Sequence, residues 1–113
     1  MAYDEFLADR IKTTFSSKSI LFIEKNMMGG LCFMVNDKMC AGVVGNNLMA
    51  RIGPEIYENA ISKPFCKPMD FTGRPLRGFV FVEPEGIDLD NKLDYWIQLC
   101  IDYNPKAKSS KKK

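Results

Sequence analysis

The segment MMGGLCFMVNDKMCAGVVGNNLMARIG, at positions 27–53, constrains the fold more than any other part of the chain. Two short groups of turn-forming residues, Asn36-Asp37 and Gly45-Asn46-Asn47, interrupt its apolar runs. β-Forming runs separated by such short turns are typical of consecutive antiparallel strands. The segment therefore predicts a three-stranded meander, with strands at 31–35, 38–44 and 48–52.

Patterns on both sides of the meander predict three helices. Apolar residues recur every four positions from 7 to 15 behind Asp4, which can cap a helix N-terminus. Pro54 is placed at the start of a short second helix. Asp88 is expected to cap a third helix, in which apolar residues from 89 to 101 follow a clear 3.6-residue period.

Two further strands are predicted near 68–71 and 77–82, where the second contains the β-rich run GFVFV. Pro68 restricts the first of them to a sheet edge or a strand start. SILFIEK, at 19–25, is either a short strand or a loop. The order helix, three strands, helix, two strands, helix predicts an α+β fold of two layers, an antiparallel sheet of about five strands packed by helices.

The composition predicts one globular domain, at 1–104, followed by a basic tail at 105–113. Of the 113 residues, 46% are hydrophobic and 27% are charged, which is the globular range. The tail PKAKSSKKK could bind phosphates, but it is expected to be a solvated, disordered terminus. No secretory signal and no apolar run of about 20 residues is present, so the predicted location is the cytoplasm.

The four cysteines and the absence of histidine argue against metal or catalytic chemistry. No C-x-x-C spacing occurs, and histidine is both the commonest transition-metal ligand and the commonest general base. A two-residue turn at Asn36-Asp37 places Cys32 and Cys40 on opposite sheet faces. We expect buried free thiols, no cofactor, no metal and no enzymatic activity. The many methionines are expected to fill the core, with a soft copper site or an adaptable surface as alternatives.

Both faces of the meander are apolar, whereas one face of an antiparallel sheet is usually exposed to water. One face is expected to carry Cys32, Met34, Met39, Ala41 and Val43, and the other Leu31, Phe33, Val35, Cys40 and Val44. The second apolar face must be covered by helices or by another copy of the protein. The sequence therefore predicts a homodimer.

The segments MMGGLCFMVNDKMCAGVVGNNLMARIGPEIYE and KPMDFTGRPLRGFVFVEPEG resemble the N-terminal domain of the TfoX/Sxy family. This resemblance implies a fold similar to secretion-chaperone-like and YjbR-like domains. It also implies a bacterial regulatory role, because full-length members promote the transcription of competence genes together with the cyclic-AMP receptor protein. This chain resembles a stand-alone N-terminal domain. It departs from the family at Met28, where an aromatic residue is usual, and at Phe65-Cys66, where the turn is usually more glycine-like.

The segment DFTGRPLRG, at 70–78, is the best candidate for a binding site. Arg74 and Arg77 could hold a phosphate or carboxylate, with Asp70 and Thr72 orienting them and Arg51 joining the patch. The alternative is a capped turn with solvated arginines. Three functions remain open: a non-catalytic protein-interaction module, whose partner could be the transcription machinery; a nucleic-acid binder; and a small-molecule binder or unrecognised enzyme.

Overall fold

The computed structural model describes residues 3–27, 29–70 and 75–107, with the backbone alone at 70, 75 and 76. Its helices are α1 (Glu5–Ser17), α2 (Tyr57–Ile61) and α3 (Asp90–Tyr103). Its strands are β1 (Ile23–Met27), β2 (Gly30–Val35), β3 (Lys38–Val44), β4 (Asn47–Arg51), β5 (Cys66–Asp70) and β6 (Pro75–Val82). They form one antiparallel sheet in the order β1-β2-β3-β4-β6-β5. The α+β class is confirmed. The sheet has six strands rather than about five, because the end of SILFIEK begins an additional strand, β1.

The ends of the helices follow local hydrogen bonding. The carboxylate of Asp4 accepts a hydrogen bond from the Phe6 amide at 2.9 Å, which confirms the predicted cap of α1. The predicted cap of α3 is wrong, because Leu89 stands at that position and makes no side-chain cap bond. Pro54 also lies three residues before α2 rather than at its start. No helix in the described ranges is long and apolar enough to cross a membrane.

The predicted three-stranded meander is confirmed. Its first turn and its closest backbone contact are formed by residue types that suit them. Asn36 and Asp37 have φ values of 56° and 65°, the left-handed pair that a two-residue type I′ hairpin turn requires. Gly30 is a close backbone approach, since a Cβ there would lie 2.1 Å from the Val43 carbonyl oxygen. Strand β2 can therefore pack against β3 at this point only without a side chain.

A β-bulge in the first hairpin changes which side chains share a face. Met34 pairs with Met39, but Phe33 pairs with Ala41, so Cys40 is the extra residue. The predicted placement of Ala41, Val43 and Val44 is therefore wrong, because the bulge shifts the register by one position. Ala41 and Val43 belong to the helix-facing core, whereas Val44 packs against the opposite cluster.

The sheet carries a buried apolar cluster on each face. The larger cluster lies between the sheet and all three helices, and Ile11, Phe15 and Ile97 are fully buried in it. The smaller one, here called the methionine cluster, consists of Cys32, Met34, Met39, Met49 and Met69, all at most 7% exposed. In the described part of the chain this cluster is built from strands alone. The five residues of the cluster are thus buried within a single chain, whereas Val44, Phe79 and Phe81, which pack against them, are only partly buried.

Candidate functional site

Of the five predicted site residues, Arg51 and Arg77 have described side chains, and these two fall on different faces of the sheet. The Arg51 guanidinium lies 5.2 Å from the centre of the Phe79 ring and donates a hydrogen bond to the Met39 carbonyl at 3.3 Å. Phe79 packs against the methionine cluster, so Arg51 belongs to that face. Arg51 is half-buried, and its cation–π contact with Phe79 joins β4 to the neighbouring strand β6.

Arg77 turns toward the helical face instead. It bonds the Glu58 carboxylate at 3.0 Å and lies over the Tyr57 ring at 5.6 Å, and both of these residues are on α2. Gly78 separates the two environments. It has a φ of 96°, and its carbonyl accepts hydrogen bonds from the amides of Ile52 and Gly53. These contacts of the two arginines therefore do not converge on a common ligand position.

The other predicted site residues lie wholly or partly outside the described residues. Thr72 and Arg74 fall in the undescribed range 71–74, and only the backbone of Asp70 is described, at the end of β5. Met28 and the end of the basic tail, at 108–113, also lie outside the described residues.

Lys38, Arg51 and Arg77, which a nucleic-acid surface would need on one face, are used in internal contacts. Lys38 donates to the carbonyl of Asn104 at 3.0 Å, at the C-terminal end of α3, where a cation complements the helix dipole. Lys67, on the edge strand β5, pairs with Glu83 at 2.7 Å. Within the part of the chain that the structure describes, Lys38, Lys67, Arg51 and Arg77 therefore lie in separate places and do not form a continuous stripe.

The thiols are buried, free and weakly acidic. Burial raises the pKa of Cys40 to about 12, and that of Cys32 and Cys66 to about 11. Cys32 lies in the methionine cluster and Cys40 in the helix-facing core, which confirms that their sulfurs point to opposite faces. Since the thiolate is the nucleophile, raised pKa values favour the unreactive form. Within 3–27, 29–70 and 75–107, no group of three or more cysteine and carboxylate side chains could hold a metal.

The largest exposed apolar side chains on a strand edge lie at β1, which the sequence analysis did not treat as a site. Leu21 is 90% exposed just before β1, and Ile23 is 67% exposed at its first position. β1 is an edge strand that pairs only with β2 in the described sheet. The signal in the sequence was the apolar run SILFI, whose last residue, Ile23, begins β1.

A second feature missed from the sequence is a groove between the α2–β5 connection and α3. It has a volume of about 410 Å³ and is lined by aromatic and basic side chains, among them Phe65, Tyr95 and Lys92. Phe65 has a φ of 66°, which is the left-handed conformation that glycine adopts most easily. The sequence signal was the replacement of a glycine-like turn by Phe65-Cys66.

Comparison with known proteins places the chain by family. No curated protein and no solved structure matched it. The family model described as the TfoX N-terminal domain matches residues 21–103, from the start of the β1 region to the end of α3. Helix α1 lies before the matched segment, although its buried face is part of the main core. The match covers most of the 113 residues, and the chain therefore belongs to the TfoX N-terminal domain family.

Proposed function

We propose that this chain is a non-catalytic regulatory module that acts by binding another protein through its edge strand β1. Membership of the TfoX N-terminal domain family suggests a competence-related regulatory domain. The observation that carries the proposal is the exposure of Leu21 and Ile23 beside a strand edge that pairs with no other strand of the described sheet. An extended segment of a partner can add to such an edge, with main-chain hydrogen bonds giving affinity and side chains giving specificity.

The opposite edge of the sheet is protected against the same kind of pairing. Pro68 in β5 has no amide hydrogen to donate, and Lys67 is held by Glu83. β1 contains no proline, and its first four residues are exposed. Strand addition is therefore directed to β1 rather than to β5.

A different protein suits this edge better than a second copy of the chain. Antiparallel strands that keep their faces aligned place residues of the same parity opposite each other. The symmetric register that pairs all five residues of β1 sets Ile23 opposite the second copy's Met27, and it therefore sets Lys25 against its own copy. Like charges directly opposite are destabilising. We infer a partner segment with an apolar side chain opposite Ile23 and a carboxylate opposite Lys25.

The test uses purified chain with the cyclic-AMP receptor protein, the partner that the family resemblance suggests, and with duplex DNA. We expect binding to the protein that is lost in Ile23→Lys. Phe6→Lys is the matched control, because Phe6 is 73% exposed but lies on α1, and its variant should bind normally. Salt-sensitive binding to DNA that is unaffected by Ile23→Lys would contradict the proposal. Light scattering on the same samples tests the homodimer prediction.

A further inference from the structure

The groove beside Phe65 lies at the β5 end of the molecule, away from β1. Pro64 and Phe65 come from the connection before β5, Gly86 from the short 3₁₀ turn after β6, and Tyr95 and Trp96 from α3. Phe65 and Tyr95 are 44% and 45% exposed, so two aromatic rings face solvent in one place. Trp96 forms the floor, since it is 4% exposed and its ring meets that of Tyr95 edge-on at 5.3 Å.

Phe65 adopts a left-handed backbone conformation that is unusual for a bulky residue. A bulky residue at a φ of 66° is energetically unfavourable, and glycine would remove the strain. The position is held by neighbours: the Phe65 carbonyl accepts a hydrogen bond from the Glu83 amide at 2.7 Å, and a Cβ on Gly86 would lie 3.1 Å from the Phe65 Cβ. Strained residues that the surrounding structure holds in place are concentrated at binding sites.

The charged side chains that line the groove have one sign. Lys63 and Lys92 line it, and no carboxylate among the described side chains does. Lys63 lies 5.8 Å from the centre of the Tyr95 ring. Among the described residues, neither lysine forms an ion pair, whereas Lys12, Lys18 and Lys67 all do. The groove thus combines an apolar floor with two cations available to an anionic partner.

We propose that this groove binds an acidic peptide segment of a partner protein, with an apolar side chain seated between Phe65 and Tyr95 and carboxylates facing Lys63 and Lys92. Aromatic anchors in a pocket supply most of the binding energy of such contacts, and complementary charge supplies orientation and specificity. The site is separate from the β1 edge and does not depend on it.

The probe is a capped heptapeptide with a central Phe-Pro-Leu and two glutamates on each side. Trp96 is the chain's single tryptophan, so its fluorescence reports binding at the groove directly. We expect a saturable change with this peptide, and none with a version in which lysines replace the glutamates. Affinity should fall at least about tenfold in Phe65→Gly and in Lys92→Glu. Phe65→Gly relieves the backbone strain, and Lys92 lies on the exposed side of α3, so both variants should fold.

Two further variants fix the position of the probe. Phe6→Lys and Ile23→Lys carry their changes on α1 and on β1, and both should bind the peptide as the unmodified chain does. Loss of binding in Ile23→Lys would place the peptide on the strand edge and overturn the groove assignment. Equal binding of the glutamate and lysine peptides, unchanged affinity in Lys92→Glu, or no saturable signal at millimolar peptide would overturn it as well.

Discussion

Phe65→Gly and Phe65→Ala remove the same ring but leave different backbones, so the pair separates packing from conformational strain. The ring is 44% exposed, which corresponds to about 100 Å² buried and to about 2.5 kcal/mol of lost burial in either variant. At a φ of 66°, alanine keeps most of the strain, whereas glycine removes about 1 kcal/mol of it. Phe65→Gly should therefore be more stable than Phe65→Ala by about 1 kcal/mol.

The assay is urea denaturation followed by far-ultraviolet circular dichroism, which does not depend on the environment of Trp96. Phe6 provides a control in which the difference in stability between the alanine and glycine variants is reversed, because it is exposed but lies in the first turn of α1. At that position alanine should be the more stable variant, by up to about 1 kcal/mol, since glycine is a poor helix former. If Phe65→Ala were as stable as Phe65→Gly, the left-handed strain at Phe65, and with it the argument for a displayed ring, would be refuted.

Three further predictions concern the fold, and urea denaturation checks each. Gly30→Ala should lower the free energy of unfolding by about 3 kcal/mol, because the new Cβ would meet a backbone carbonyl. Gly45→Ala should lower it by about 1 kcal/mol, because that position has open space but a φ of 58°. Equal losses in the two variants would contradict the close approach at Gly30. Asn104→Ala should cost about 2 kcal/mol, because the buried Asn104 amide donates to the Val35 carbonyl at 3.1 Å; a loss below about 0.5 kcal/mol would contradict that role. The free energy of unfolding should decrease above about pH 9, because the Cys40 thiol ionises there in the unfolded chain but stays neutral to about pH 12 in the folded one. The decrease should be shallower in Cys40→Ala. Identical pH slopes in the two proteins would show that this thiol is not responsible.

Several features that depend on local chemistry were predicted from the sequence, although the Asp88 cap and the place of Pro54 were not. The Asn36-Asp37 turn, the Asp4 cap and the edge position of Pro68 all follow from the geometry of single residues or short pairs, and all three are present. The apolar stripe of α3 was equally readable, because Trp96 and its neighbours repeat with the helical period.

Features that depend on tertiary packing could not be predicted from the sequence. The extra residue at Cys40 has no local signature, yet it moved Ala41, Val43 and Val44 between faces. The separation of Arg51 from Arg77 depends on which neighbours each side chain meets, namely Phe79 and α2. The same holds for the groove, which assembles residues about 30 positions apart in the chain.

The most direct measurement for the central claim, binding of another protein at β1, is photo-crosslinking in cells that naturally contain the chain. A photoreactive amino acid replaces Ile23 in one variant and Phe6 in the control, since both positions are largely exposed. The proposal predicts that position 23 crosslinks to one defined protein, identified by mass spectrometry, and that position 6 does not. Crosslinking only to nucleic acid, or the same weak products at both positions, would contradict it.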